Sequence, residues 1–186
     1  MLTETFDSLV RKGWLVQNLA SDSYKIHRVV ATVIRKDYPP TFTDVADLVE
    51  IINGLLRVDD NDDPVDHFVW IPYGKALLNC FPQDAAPEIA MLQNHLALRL
   101  KDQGDNTTAK TLLEKAVQTH EALFGPDHLS TAISYFNLAL VLEELGEKTR
   151  ARPLLENTLR IFGEVLPPDH PYLIQAKQHY LSINIQ

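Results

Sequence analysis

The stretch AISYFNLALVLEELGEKTRARPLLE at residues 132–156 echoes, 42 residues later, the stretch AMLQNHLALRLKDQGDNTTAKTLLE at residues 90–114. Ala90, Leu96, Ala97, Leu98 and Leu100 return as Ala132, Leu138, Ala139, Leu140 and Leu142, and Gly104 returns as Gly146. Beyond the glycine, Thr107, Ala109, Leu112, Leu113 and Glu114 return as Thr149, Ala151, Leu154, Leu155 and Glu156. Pro126-Asp127-His128 then returns as Pro168-Asp169-His170, so one spacing covers two helices and the loop into the next unit. A fixed period of this length marks a stack of units, none of which can bury its apolar face alone.

Each recurring position has a physical role. Leu138, Val141, Leu142 and Leu145 fall at helical spacing on the first helix of the second unit, where they face a neighbour. Gly104 and Gly146 are placed to end the first helices, because a residue without Cβ enters the left-handed conformation that satisfies the last carbonyls. Ala97, Ala109, Ala139 and Ala151 are small where antiparallel helices cross at about 8–10 Å. Asp127 and Asp169 precede new helices and are expected to cap them. Pro171 suits a first helical turn, where its missing N–H costs nothing.

The segment Ala-x-Ser-x-x-Asn-Leu-Ala at 132–139, Gly146, Leu154-Leu155-Glu156 and the Pro-Asp-His loops resemble the kinesin light chain variety of tetratricopeptide repeat over residues 88–186. The resemblance implies an all-α fold of antiparallel helix pairs stacked as a right-handed solenoid. The family's paired asparagines are Asn94-His95 and Phe136-Asn137 here, and Leu129 replaces the loop proline that Pro171 keeps. The resemblance further implies a peptide-binding groove on the first helices, lined by Met91, Asn94, Leu98 and Lys101, then Ile133, Phe136, Leu140 and Glu143, then Gln175 and Gln178. Phe136 reads in two ways. It is either an exposed aromatic anchoring an extended peptide whose backbone Asn94 bonds, or a side chain packed between repeats.

Residues 41–87 read as a degenerate copy. Val45, Leu48, Val49, Ile52 and Leu56 make one apolar stripe, and Phe68, Ile71 and Leu78 suggest a second helix. Pro72 and Gly74 are expected to interrupt that helix, and the acidic run at 59–63 replaces the glycine turn. Residues 1–40 show an amphipathic helix with Phe6, Leu9 and Val10, a short β-hairpin around Trp14-Leu15-Val16 and Tyr24-Lys25-Ile26, and a helix from His27 to Lys36. Tyr38-Pro39-Pro40 ends it as a linker.

With Ile26-His27-Arg28-Val29-Val30 after the hairpin and repeats following, this segment resembles the tail of the winged-helix domain of STAND signalling ATPases of the NB-ARC type. The resemblance implies a sensor arm whose ATPase half precedes residue 1. The helix from Pro171 to Gln186 takes the first-helix place of a third unit. It is expected either to cap the stack, to meet another copy in an oligomer, or to await a further repeat in a longer protein. His27 matches the histidine that lies near nucleotide phosphates in that family, but Arg28 stands where many members have Asp. No Gly-x-x-x-x-Gly-Lys-Ser/Thr loop is present, so no cofactor or hydrolysis is expected, and His27 reads as structural.

The formal charge of -8 disfavours attraction to nucleic acid and to anionic membranes. Residues 1–38 nonetheless carry a net +2, which makes nucleic-acid binding through the winged-helix-like segment the alternative. Cys80 is the sole cysteine, which excludes an internal disulfide and a cysteine-built zinc site and makes the cytoplasm the default location. No apolar run approaches the roughly 18 residues of a membrane span. Asp59–Asp63 opens like a calcium loop, but Pro64 and Trp70 occupy the glycine and glutamate places, which leaves a solvated turn. His95, His120 and His179 lack metal-ligand spacing. The expected function is therefore binding of a protein or peptide, with no catalytic, cofactor or metal site. A structural self-association module is the other non-enzymatic reading.

Overall fold

The computed structural model describes residues 15–18, 23–26, 42–58, 62–81 and 85–184. The chain divides into two compact units, Met1–Val45 and Ala46–Gln186. In the first, strands β1 (Leu15–Asn18) and β2 (Ser23–Ile26) pair antiparallel with Leu15 opposite Ile26. The rest of the described chain is helical: α1 (Phe42–Leu56), a 3-10 helix (Pro64–Trp70), α2 (Ile71–Cys80), α3 (Pro87–Asp102), α4 (Asn106–Phe124), α5 (Leu129–Glu144), α6 (Lys148–Val165) and α7 (Pro171–Asn184). The expected helices at 3–12 and 27–36, His27 and the acidic residues 59–61 lie outside the described residues.

The 42-residue period is visible as one turn built twice. Gly104 and Gly146 hold φ of +84° and +77°, a region open to glycine because it has no Cβ. Around Gly104, the amide of Asp105 donates to Leu100 O at 2.8 Å and that of Gly104 to Lys101 O at 2.8 Å. Around Gly146, Glu147 N donates to Leu142 O at 2.8 Å and Gly146 N to Glu143 O at 2.9 Å. This paired pattern satisfies the last carbonyls of α3 and α5 and reverses the chain within a few residues. In the first turn Asp105 then caps α4, accepting from Thr108 N at 3.2 Å. So α3 packs against α4, and α5 against α6, with α4 also meeting α5 and α6 meeting α7. Ala97, Ala109, Ala139 and Ala151 are fully buried, consistent with close helix crossings.

The caps at the other end correct one expectation. It is His128 and His170, not the aspartates before them, that receive the free amides: His128 Nδ1 accepts from Ser130 N at 3.1 Å and His170 Nδ1 from Tyr172 N at 3.2 Å. An imidazole Nδ1 stands as many bonds from Cα as an aspartate Oδ, so it fills the same role while unprotonated. Asp127 turns away and pairs with Arg160 of α6.

Upstream, α2 runs unbroken through Pro72 and Gly74, contrary to the expected interruption. Pro72 lies in the first turn, where proline is tolerated. Gly74 is buried at a close approach, where a Cβ would meet side-chain atoms of Leu56 and Leu96 at 3.1 and 3.3 Å. Asp63 starts the 3-10 helix by accepting from Val65 N at 2.9 Å. The end of α1 is tied to α3: Asn53 Nδ2 donates to Glu88 O at 3.0 Å, His95 Nδ1 to Asn53 Oδ1 at 3.2 Å, and Arg99 to Leu56 O at 3.3 Å. Asn53 and His95 are themselves 42 residues apart, the separation that relates the later units.

Candidate binding face

Hydrogen bonds place the first helices of successive units side by side. Between α3 and α5, Asn94 Nδ2 donates to Ser134 Oγ at 2.9 Å and Asn137 Nδ2 donates to Asn94 Oδ1 at 3.1 Å. Between α5 and α7, His179 Nδ1 donates to the Glu143 carboxylate at 2.6 Å and Ser182 Oγ to its other oxygen at 3.3 Å. The residues expected on the groove fall into three groups. Met91 is 47% exposed, and Gln175 and Gln178 are exposed. Leu98, Lys101, Ile133, Leu140 and Glu143 are half-buried. Asn94 and Phe136 are buried.

Asn94 is therefore not a free amide awaiting a ligand. Its second N–H donates to Ala90 O at 3.1 Å, so both hydrogens and the oxygen are engaged inside the protein. Ser134, fully buried, also hydrogen-bonds His120 Nδ1 at 2.8 Å. The His120 imidazole is pushed below its ordinary range by burial and by nearby His128. A serine beside a histidine invites a nucleophilic reading. With Ser134 at 0% exposure and His120 buried, no substrate reaches the pair, and its role is to satisfy the joint between units.

At the corresponding place in the next joint the chemistry changes. Phe136 stands 42 residues after Asn94, Phe162 after His120, Ala176 after Ser134 and His179 after Asn137. Phe136 is 4% exposed and makes edge contacts with Phe162 and His179, centroids 6.3 and 5.9 Å apart. Of its two readings, the packed one describes where this side chain lies. Comparing the two units column by column would have found this, because three polar side chains are exchanged for apolar ones together.

The charges of the face are paired. Lys101 Nζ meets Glu144 Oε1 at 2.8 Å. Glu143 and Glu144 nevertheless both occupy the last turn of α5, which has no basic residue there, so they add to the negative end of that helix's dipole. Next to Asn94, His95 is pushed down to about 4 by burial, helped by Arg57 and Arg99, and is neutral near pH 7. Among the described residues, no group of three or more His, Cys, Asp or Glu side chains is arranged to hold a metal ion, and no helix is long and apolar enough to cross a membrane.

Residues 88–164, spanning almost all of α3 to α6, match the tetratricopeptide repeat family. These residues are similar to tetratricopeptide repeats. Solved tetratricopeptide structures share the fold. A Podosopora anserina structure of nearly identical TPR-like repeats, named for kinesin light chain, is 19% identical with a TM-score of 0.61, and covers 79% of this chain and 67% of its own. Its Q17M variant gives 19% and 0.62 over 80% and 68%. BtubC (BKLC) from P. vanneervenii gives 16% and 0.56 over 84% and 70%. No curated protein matches the sequence. Tetratricopeptide repeats serve generally as protein-interaction scaffolds, because stacked helix pairs present an extended surface.

Proposed function

We propose that this chain is a protein- or peptide-binding scaffold that acts through the face formed by the first helices of its tetratricopeptide units, α3, α5 and α7. The observation that carries the reading is the row of aliphatic side chains Met91, Leu98, Ile133 and Leu140, left exposed or half-buried between helices whose other faces are packed. Apolar side chains at the centre of a polar surface are where binding energy concentrates. The test is cross-linking pull-down from the source cells with wild type and with a Met91→Glu, Ile133→Glu variant. Partners that depend on the face disappear with the variant, and an unchanged set of partners rejects it.

The finer reading is that of a sensor arm within a larger STAND-type ATPase. Its support is the Ile26-His27-Arg28-Val29-Val30 stretch that follows the hairpin and precedes the repeats. The gene sequence around this chain tests it. An upstream phosphate-binding loop followed by a nucleotide-binding domain supports the reading, and a stop codon in frame immediately before Met1 rejects it.

A further inference from the structure

An extended peptide and a helix make different demands on a groove. The extended chain brings backbone N–H and C=O groups that must be paired once water is removed, so a groove built for it supplies amides or other polar side chains. On the face between α3 and α5 the amide best placed for this, Asn94, is spent: it donates to Ala90 O and Ser134 Oγ and accepts from Asn137. Asn137 is buried with it. The remaining amides of the face, Gln175 and Gln178, lie on α7, outside this strip.

What the strip does offer is aliphatic. Met91 and Leu98 stand seven residues apart on α3, and Ile133 and Leu140 seven apart on α5. Two helical turns separate each pair by about 10.5 Å along the axis, which is also the spacing of i and i+7 anchors on a ligand helix laid along the strip. A helix keeps its backbone bonds to itself and asks only for apolar contact. At the end of the strip, Glu143 and Glu144 of α5 stand beside one lysine, Lys101 of α3, which pairs with Glu144, while Glu143 accepts from His179 and Ser182 of α7. Two carboxylates against one lysine leave this end acidic, on a chain of formal charge -8. A ligand with Lys or Arg there gains complementarity and avoids like-charge repulsion.

We infer that the strip of Met91, Leu98, Ile133 and Leu140 takes an amphipathic helix of a partner protein, aliphatic on one face and basic near one end, rather than an extended peptide. The inference rests on the face being the binding surface, and its test separates the two ideas. Three fluorescein-labelled 18-residue probes are titrated into the full chain by anisotropy: a Leu/Ala/Gln helix with lysines at one end, the same sequence with two central prolines, and the same helix with glutamates for lysines. The lysine helix is expected to bind at least tenfold more tightly than either control. Leu140→Glu in the protein is expected to weaken it at least tenfold, with Met91→Glu, at an exposed position, as a second variant should the first unfold. Equal binding of the proline probe overturns the helical occupant while leaving the face intact, and equal binding of the glutamate probe overturns the basic end. Failure of all three probes to bind overturns the proposed ligand chemistry, whereas tight binding indifferent to both variants rejects the face itself.

Discussion

The joint between α3 and α5 and the joint between α5 and α7 occupy the same register of the repeat and are made of opposite materials. The first buries Asn94, Ser134, His120 and Asn137 as a hydrogen-bonded network, while the second sets Phe136 in T-shaped contact with Phe162 and with His179, and Ala176 is buried. Either solution closes the joint provided it is complete. A half-satisfied polar network leaves buried groups unpaired, and an aromatic ring needs small or aromatic neighbours to seat it. A repeat position in this chain is therefore better understood as one member of a set than as a single residue with a fixed role.

That contrast can be broken from either side. The largest effect is expected from Phe162→Ala, which empties the aromatic joint at a fully buried position. It should cost about 3–5 kcal/mol, read as a shift in urea midpoint with unchanged slope. Acid should act on the polar side of the stack. His95 binds its proton near 4 in the folded chain against 6.5 for an ordinary histidine. Between those values the unfolded state holds more protons, so stability is full above about pH 6.5 and falls as the pH drops towards 4, by a total of about 3 kcal/mol. His120, lowered for similar reasons, slopes in the same direction. A His95→Gln variant measured by chemical denaturation from pH 7.5 to 4 should show a flatter profile.

Smaller again, Asn94→Ala should lose about 1–3 kcal/mol by stranding the Asn137 amide and removing one of the partners of Ser134. The combined exchange Asn94→Phe, His120→Phe, Ser134→Ala, Asn137→His, which copies the second joint into the first, should recover most of the loss caused by Asn94→Phe alone. Thermal melts of the two variants decide whether the set or the single residue matters. The smallest effect belongs to a feature both units share. Gly146→Ala places a Cβ at φ +77° with no atom within 4 Å to clash, so only backbone strain of about 1–2 kcal/mol is expected, and Gly104→Ala should match it within error.

The period, the two glycine turns and the buried alanines were legible because each repeats and each has one physical cause. The histidine caps were not, since Asp127 and Asp169 satisfy the usual capping preference and only the backbone path shows the next residue receiving the amide. Pro72 and Gly74 misled for a related reason. Proline in a first turn and glycine under a crossing helix have the same letters as a break, and a degenerate copy offers no second instance to compare. For the proposed binding face, the family resemblance supplied Met91, Leu98, Ile133, Leu140 and Glu143 as candidates. It left open whether Phe136 is packed and did not show that Asn94 is engaged on all sides, because those facts depend on residues one unit away.

The unlike joints also bear on how the chain finds its order. Units joined by interchangeable surfaces can dock out of sequence, a recurrent hazard of repeat folds. Were α7 to settle against α3 and α4 in place of α5, Ala176 would face Asn94 and His120 with no hydroxyl to offer, and His179 would stand where Asn137 donates. Each surface thus carries an address, and a skipped unit is refused by the hydrogen bonds it leaves unmade.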